Sequence, residues 1–173
     1  MIIVPEIDVN ETIHSSITRL RNNSFPGYQV DRSWYKQLPH MRILCYAEDE
    51  LIGYMGIDFR VSRVGESVCK VLGIIDFCVS EMFRGRGIGT SMLHELAVYA
   101  QQKDVEFIVL VAANPKVYLN NGFQQVSAKC TWLRIDEHKN YGIACEQLDN
   151  LLVMKTGPRQ WPGGDIDWLG YLF

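Results

Sequence analysis

Three glycines and two arginines stand where an apolar run gives way to a helical one. The apolar run is GIIDFCV, Gly73–Val79. The junction is Phe83-Arg84-Gly85-Arg86-Gly87-Ile88-Gly89-Thr90, and the helical run is SMLHELAVYA, Ser91–Ala100. A strand that turns through glycines into a helix commits the surrounding chain to packing helices on a sheet. The same turn is an anion site in waiting. A helix N-terminus leaves about four backbone N–H groups unpaired, and the aligned peptide dipoles place roughly half a positive charge there. Glycines remove the Cβ atoms that would keep a ligand away. Phosphate or pyrophosphate suits such a turn, with Arg84 and Arg86 adding charge at its rim. The plainer alternative is a turn that needs positive φ angles, with its arginines solvated.

Two well-known phosphate fingerprints fail here. A P-loop ends in G-K-[ST], which this junction lacks, and G-x-G-x-x-G is broken by Thr90 where the third glycine belongs. What remains is Arg84-x-x-Gly87-x-Gly89.

Around this junction the hydrophobic period changes several times. Residues 10–23 read as a helix, with Asn10 as its N-cap and Ile13, Ile17 and Leu20 on one face. Residues 24–40 are broken by Pro26-Gly27, with a short helix starting at Asp31-Arg32-Ser33-Trp34-Tyr35 and ending by Pro39. Arg42–Ala47 and Leu51–Val61 read as a hairpin with an acidic tip, Glu48-Asp49-Glu50. Ser67–Val79 reads as a central strand. Residues 87–103 form an amphipathic helix in which Ile88, Met92, Leu96 and Ala100 align. Val105–Ala112 is a buried strand, and Asn114–Asn121 a short helix stopped by Gly122. Residues 123–134 and 150–156 are further strands. The expected fold class is therefore α/β (α+β): a mixed, mostly antiparallel sheet flanked by helices, in one domain spanning residues 1–173.

Composition limits the function. At 173 residues and 47% hydrophobic, the chain can bury a sizeable core. A net charge of −3 supplies no global basic field, so no nucleic-acid partner is expected. No apolar run approaches the ~18 residues of a membrane span, and no secretory signal is visible. The five cysteines are odd in number and form no C-x-x-C pair, which reads as buried free thiols in a reducing, cytoplasmic setting. The four histidines show no metal-ligand spacing, so no metal is expected.

Residues 74–100, IIDFCVSEMFRGRGIGTSMLHELAVYA, resemble the GNAT superfamily of N-acetyltransferases, whose signature is R/Q-x-x-G-x-G/A after a central strand and opening a helix. Residues 114–123, NPKVYLNNGF, resemble the later segment in which a tyrosine precedes Gly-Phe. The likeness runs from about Leu51 to Val126. It implies acetyl-coenzyme A as cosubstrate, held in a notch where the central strand and its neighbour splay. Backbone groups of Phe77, Cys78 and Val79 would hold the thioester and pantetheine arm, and amides of Gly85, Arg86, Gly87, Ile88, Gly89 and Thr90 the pyrophosphate. Tyr118 falls on the position of the general acid. A phenol of pKa ~10 suits that role, because it can protonate a thiolate of pKa ~8.5 without giving up its own proton earlier.

Two positions depart from the pattern. Asn114 stands only four residues before Tyr118, so it serves either the cofactor or as a cap for the short helix. The general base has one strand candidate, Asp76. Strict alternation puts Asp76 on the face of Cys78, whereas the family's base has the opposite parity, where this chain has Gly73 and Ile75. Water is the alternative base. Cys78 has no histidine nearby to activate it, so it reads as a packed thiol.

The tail, Trp161-Pro162-Gly163-Gly164 and then Asp165-Ile166-Asp167-Trp168, reads as a terminal segment pinned by its aromatics. It is also similar to the endings of nodulation N-acyltransferases and aminoglycoside N-acetyltransferases. That likeness implies an amino-sugar acceptor, with Asp165 and Asp167 attracting its amine. The expected partner is a small-molecule amine, with a protein amine, polyamine, amino acid or amino sugar all open. Tail aromatics left exposed would suit a homodimer. The competing function is a coenzyme A or acyl-coenzyme A sensor of the same fold without turnover.

Overall fold

The computed structural model describes all 173 residues, Met1–Phe173. Its elements are β1 (Ile2–Pro5), α1 (Glu11–Ser24), β2 (Met41–Ala47), β3 (Glu50–Val64), β4 (Ser67–Val79), α2 (Ile88–Gln101), β5 (Phe107–Val111), α3 (Lys116–Leu119), β6 (Gln124–Asp136), β7 (Lys139–Lys155) and β8 (Ile166–Tyr171). The sheet order is β1-β2-β3-β4-β5-β7-β6-β8. Pairing is antiparallel except at β4–β5 and β6–β8. This is the mixed, mostly antiparallel sheet with helices on its faces that the sequence predicts.

Local chemistry explains the helices. The Asn10 side chain accepts a hydrogen bond from the Ile13 N–H at 3.0 Å, which caps α1. Ile17 and Leu20 then pack on Leu44, Tyr54 and Cys78 of the sheet. On the opposite face, Met92, Leu93 and Leu96 of α2 pack on Ile43, Met55, Ile57, Leu72 and Ile74. Gly122, at φ +87°, ends the turn after α3.

The tail differs from the expectation. Ile166–Tyr171 is a strand that pairs parallel with β6, Cys130 opposite Ile166, and antiparallel with β3, Val64 opposite Ile166. Together β3, β4, β5, β7, β6 and β8 form a closed ring of pairings. Trp168 is buried inside it with Cys69, Val71, Phe107, Val109 and Val153. Trp161 meets Phe107 edge-on at 5.0 Å, and Trp168 meets Phe173 at 5.3 Å. The tail aromatics therefore pack onto the sheet, with Trp168 buried and Trp161, Tyr171 and Phe173 half-buried. Residues 31–35 form bends rather than a helix. They are held by long-range polar contacts instead: Tyr35 Oη donates to Asp136 at 3.0 Å and Trp34 Nε1 to His138 at 3.2 Å.

No helix is long and apolar enough to cross a membrane. All five cysteines are free: Cys69, Cys78 and Cys130 are buried, Cys45 is half-buried and Cys145 is exposed.

Candidate active site

The site begins where two parallel strands part. β4 and β5 pair only through Val71–Phe107, Leu72–Ile108 and Gly73–Val109. Beyond Gly73, β4 runs on to Val79 bonded to β3 alone, while β5 follows β7. The peptide groups of Ile74–Val79 on the β5 side thus face a notch.

A bulge shapes this stretch. Gly56 of β3 stands opposite Ile75 and Tyr54 opposite Cys78, so Met55 faces two residues, Asp76 and Phe77. Asp76 takes φ +50°, uncommon for a residue with a side chain. The extra residue breaks strict alternation. Phe77 and Val79 join Ile74 on the α2 face, while Cys78 points to the α1 face. Asp76 meets Arg21 of α1 and so shares the side of Cys78, as the parity count has it; the bulge breaks the count only towards the residues before it, since Ile74 lies on the α2 face.

The glycine junction sits at the end of the same strand. Gly85 and Gly87 adopt φ +76° and +78°, and Gly87 is the N-cap of α2. Nothing lies within 4 Å of where a Cβ would stand on either. No backbone carbonyl engages the N–H groups from Gly85 to Thr90. Six consecutive donors running into the first turn of α2 are therefore without a backbone partner. Both arginines of the junction are exposed beside it and enter no ion pair. Arg84 Nε folds back to donate to the Val79 carbonyl at 3.1 Å, and the Arg86 guanidinium lies 5.1 Å from the Phe83 ring centre.

A cleft of 710 Å³ passes through the notch. On the α2 side it is lined by Phe77, Ala112, Asn114 and Tyr118, and on the α1 side by Arg21, Tyr35, Lys36 and Tyr171. Tyr118 is 8% exposed and packs edge-on against Phe77 at 6.1 Å and Phe123 at 5.6 Å. Burial pushes its phenol up to about 12, with the nearby Cys78 adding to the shift. A phenol so placed keeps its proton until a strong base forms beside it. Asn114 lines the cleft and its Oδ1 accepts from the Lys116 N–H at 3.2 Å, closing a turn before α3. Pro115, rather than Asn114, is the N-cap of that helix.

Asp76 reaches the cleft, but its carboxylate is occupied. Arg21 Nε donates to its Oδ2 at 2.5 Å, and Arg21 Nη1 donates to the Tyr28 carbonyl at 2.7 Å. Arg21 is 1% exposed. The sequence reading missed this partner, although a signal existed: Arg21 lies on the apolar stripe of α1, four residues past Ile17. A cation there requires a buried counter-charge. Cys78 is buried and its thiol is pushed up to about 12, chiefly by burial, which suits packing and not nucleophilic attack.

Asp165 and Asp167 lie away from the cleft. The Asp165 carbonyl accepts from the Gly65 N–H at 2.8 Å, and Asp167 pairs with Arg63 at 3.6 Å. The tail lines the cleft instead through Tyr171, Leu172 and Phe173, farther along. Asp58, fully buried, accepts from the Tyr171 hydroxyl, and the Arg60 guanidinium lies 4.4 Å from the Tyr171 ring centre and 4.0 Å from that of Phe173. This pair on β3 anchors the wall that the tail forms.

The model of the acetyltransferase (GNAT) family matches residues 11–123. Among solved structures, the chain is similar to the GNAT family N-acetyltransferase YhbS from Escherichia coli in complex with CoA. Identity there is 15%, over 96% of this chain and 88% of that one, with a TM-score of 0.65. It is also similar to an aminoglycoside 6'-N-acetyltransferase complexed with coenzyme A: 14% identity, 92% and 99% coverage, TM-score 0.62. A third is a GNAT family acetyltransferase from Brucella melitensis in complex with acetyl-CoA: 12% identity, 95% and 93% coverage, TM-score 0.61. The chain spans only 33% of the length of some other structures it matches, such as a GCN5-related N-acetyltransferase from Anabaena variabilis. No curated protein matches it.

Proposed function

The chain belongs to the acetyltransferase (GNAT) family, and from that premise we propose that it transfers an acetyl group from acetyl-CoA to a primary amine by direct attack. The observation that carries this reading is the through-going cleft. It joins a side lined by Phe77, Asn114 and Tyr118 to a side walled by Arg21, Tyr35, Lys36 and Tyr171, and the glycine junction follows at the end of the strand that carries Phe77. Donor and acceptor can enter from opposite sides and meet at the splay of β4 and β5.

In this reading the six free amides of Gly85–Thr90 hold the pyrophosphate. The peptide groups of Phe77, Cys78 and Val79 hold the arm that carries the thioester, and one of their N–H groups steadies the oxygen as negative charge develops. The neutral amine attacks the thioester carbonyl. As the C–S bond breaks, Tyr118 gives its proton to the departing thiolate and is reprotonated from solvent. The proton lost by the amine nitrogen passes to water. Asp76 acts as a positioning residue, because its carboxylate is tied to Arg21 and holds α1 against the bulge.

A second reading, a coenzyme A-binding sensor without turnover, is favoured by one observation: the only carboxylate of β4 is spent in that ion pair.

Calorimetry with coenzyme A, ATP and NAD tests the binding half, and thiol release from acetyl-CoA over a panel of primary amines tests the transfer. Heat with coenzyme A alone and turnover with at least one amine are expected. Absence of heat with coenzyme A would overturn the proposal, and binding without turnover on any amine would favour the sensor.

A further inference from the structure

Lys36 is the one cation of the acceptor side without a carboxylate partner. Its Nζ donates to the Leu172 carbonyl at 2.9 Å and enters no ion pair. An ammonium has three N–H donors, so two remain for the cleft.

The nearby carboxylates act on it only from a distance, because each is bonded elsewhere. Arg21 consumes Asp76 at 2.5 Å. Asp136, at the rim, accepts from the Tyr35 hydroxyl. Asp58 is fully buried, bonded to Tyr171 and His40, and stands 3.6 Å from Arg60 Nη2. Arg60 itself keeps Nε and Nη2 buried without a hydrogen-bond partner. The cleft itself is lined by two cations, Arg21 and Lys36, and two carboxylates, Asp76 and Asp136, and of the two cations only Lys36 makes no ion pair. Burial pulls the Lys36 ammonium below its usual range, Asp76 and Asp136 oppose this and Arg60 adds to it. A half-buried cation with spare donors and a wall of rings beside it is set to receive an anion.

We propose that Lys36 binds an anionic group on the acceptor, so that the amine taken by this site belongs to a molecule that also carries a carboxylate or a phosphate. This inference rests on the acetyl-transfer reading. It separates an amino acid or a phosphorylated amino sugar from a polyamine or an uncharged amino sugar. The anion sits at Lys36 and turns the amine toward the splay, where Phe77 and Tyr118 lie.

Calorimetric titration of the coenzyme A-bound protein tests it without any dependence on amine reactivity. One pair of probes is phenylalanine and phenethylamine; the other is glucosamine 6-phosphate and glucosamine. At least one anionic member should bind about tenfold or more tighter than its partner, as loss of a charged hydrogen bond implies. The carboxylate pair and the phosphate pair identify the anion. Lys36→Met should collapse the ratio toward one, and Lys36→Arg, which keeps the charge, should retain most of it. The inference is overturned if neither pair is discriminated, if spermidine or the uncharged members bind tighter, or if Lys36→Met keeps the ratio. Coenzyme A binding without discrimination overturns this inference alone. Absence of coenzyme A binding overturns the acetyl-transfer reading and this one with it.

Discussion

The ring of Phe173 occupies the place where a side chain on Gly73 would stand. A Cβ built on Gly73 falls 2.0 Å from Cδ1 and Cε1 of that ring. Gly73 is also the last residue of β4 that pairs with β5. One position therefore admits the tail onto the sheet and marks where the two strands part.

Gly73→Ala should force Phe173 off the strand and loosen the tail's side of the cleft. The expected loss is about 1–3 kcal/mol, the usual cost of overpacking. Thermal unfolding would register it as a fall of roughly 2–4 °C for each kcal/mol. Adding Phe173→Ala should recover part of the loss, since the two changes share one contact. Additive effects would contradict the packing described.

Asp76→Asn leaves the Arg21 guanidinium, 1% exposed, without its counter-charge. Urea denaturation should show a loss of about 3–5 kcal/mol. Replacing both partners, Arg21→Met with Asp76→Asn, should cost less than the single change. A single variant as stable as the parent would refute a structural ion pair at the bulge.

Tyr118→Phe removes the proton donor and keeps the ring against Phe77 and Phe123. Turnover should fall by about 10²–10⁴-fold while coenzyme A affinity stays within a factor of a few. Because the phenol is pushed up to about 12, the parent enzyme should show no fall in kcat near pH 10, where an ordinary phenol loses its proton. A basic limb near pH 10 that vanishes in Tyr118→Phe would place the phenol in water.

Gly87→Ala puts a side chain on a residue at φ +78°. The backbone strain is about 1–2 kcal/mol, and the new methyl stands in open space beside the unpaired amides. Coenzyme A affinity should drop about tenfold or more, which is roughly 1.4 kcal/mol. Unchanged affinity would remove this turn from the binding site.

Stability should decline on the alkaline side. Burial raises the thiols of Cys78 and Cys130 from 9.0 to about 12 and about 11, and the phenol of Tyr118 from 10.0 to about 12. Above pH 9 the unfolded chain releases protons that the folded chain keeps. Unfolding then becomes easier as pH rises, up to the folded values. Denaturant midpoints between pH 8 and 11 should fall steadily, and a flat profile would contradict the burial of these groups.

Features carried by short-range chemistry were legible in the sequence. Asn10, the limits Ser67–Val79, the period of α2 and the stop at Gly122 all follow from caps, alternation and glycine. What escaped depends on distant neighbours. Strand Ile166–Tyr171 exists because β6 and β3 both accept it, and nothing local requires it. The outer half of β7, 139–149, is polar and mostly exposed, which blurs its alternation. The bends at 31–35 are set by Asp136 and His138, a hundred residues on. The bulge at Asp76 places a non-glycine residue at positive φ, which no residue-type preference announces. In the site, the glycine junction and Tyr118 were readable as a motif. Lys36 and Arg21 were not singled out, since their roles arise only once α1, β4 and the tail meet.

The ring of pairings closed by β8 also bears on how the chain reaches its native state. Val64 and Ile166 are brought together across most of the polypeptide, and such remote pairings slow a folding reaction toward the millisecond-to-second range. Tyr171 and Phe173 can settle against Arg60 only after β3 and β6 are in register. The wall that the tail gives the cleft therefore depends on the pairing that joins the most distant parts of the sequence.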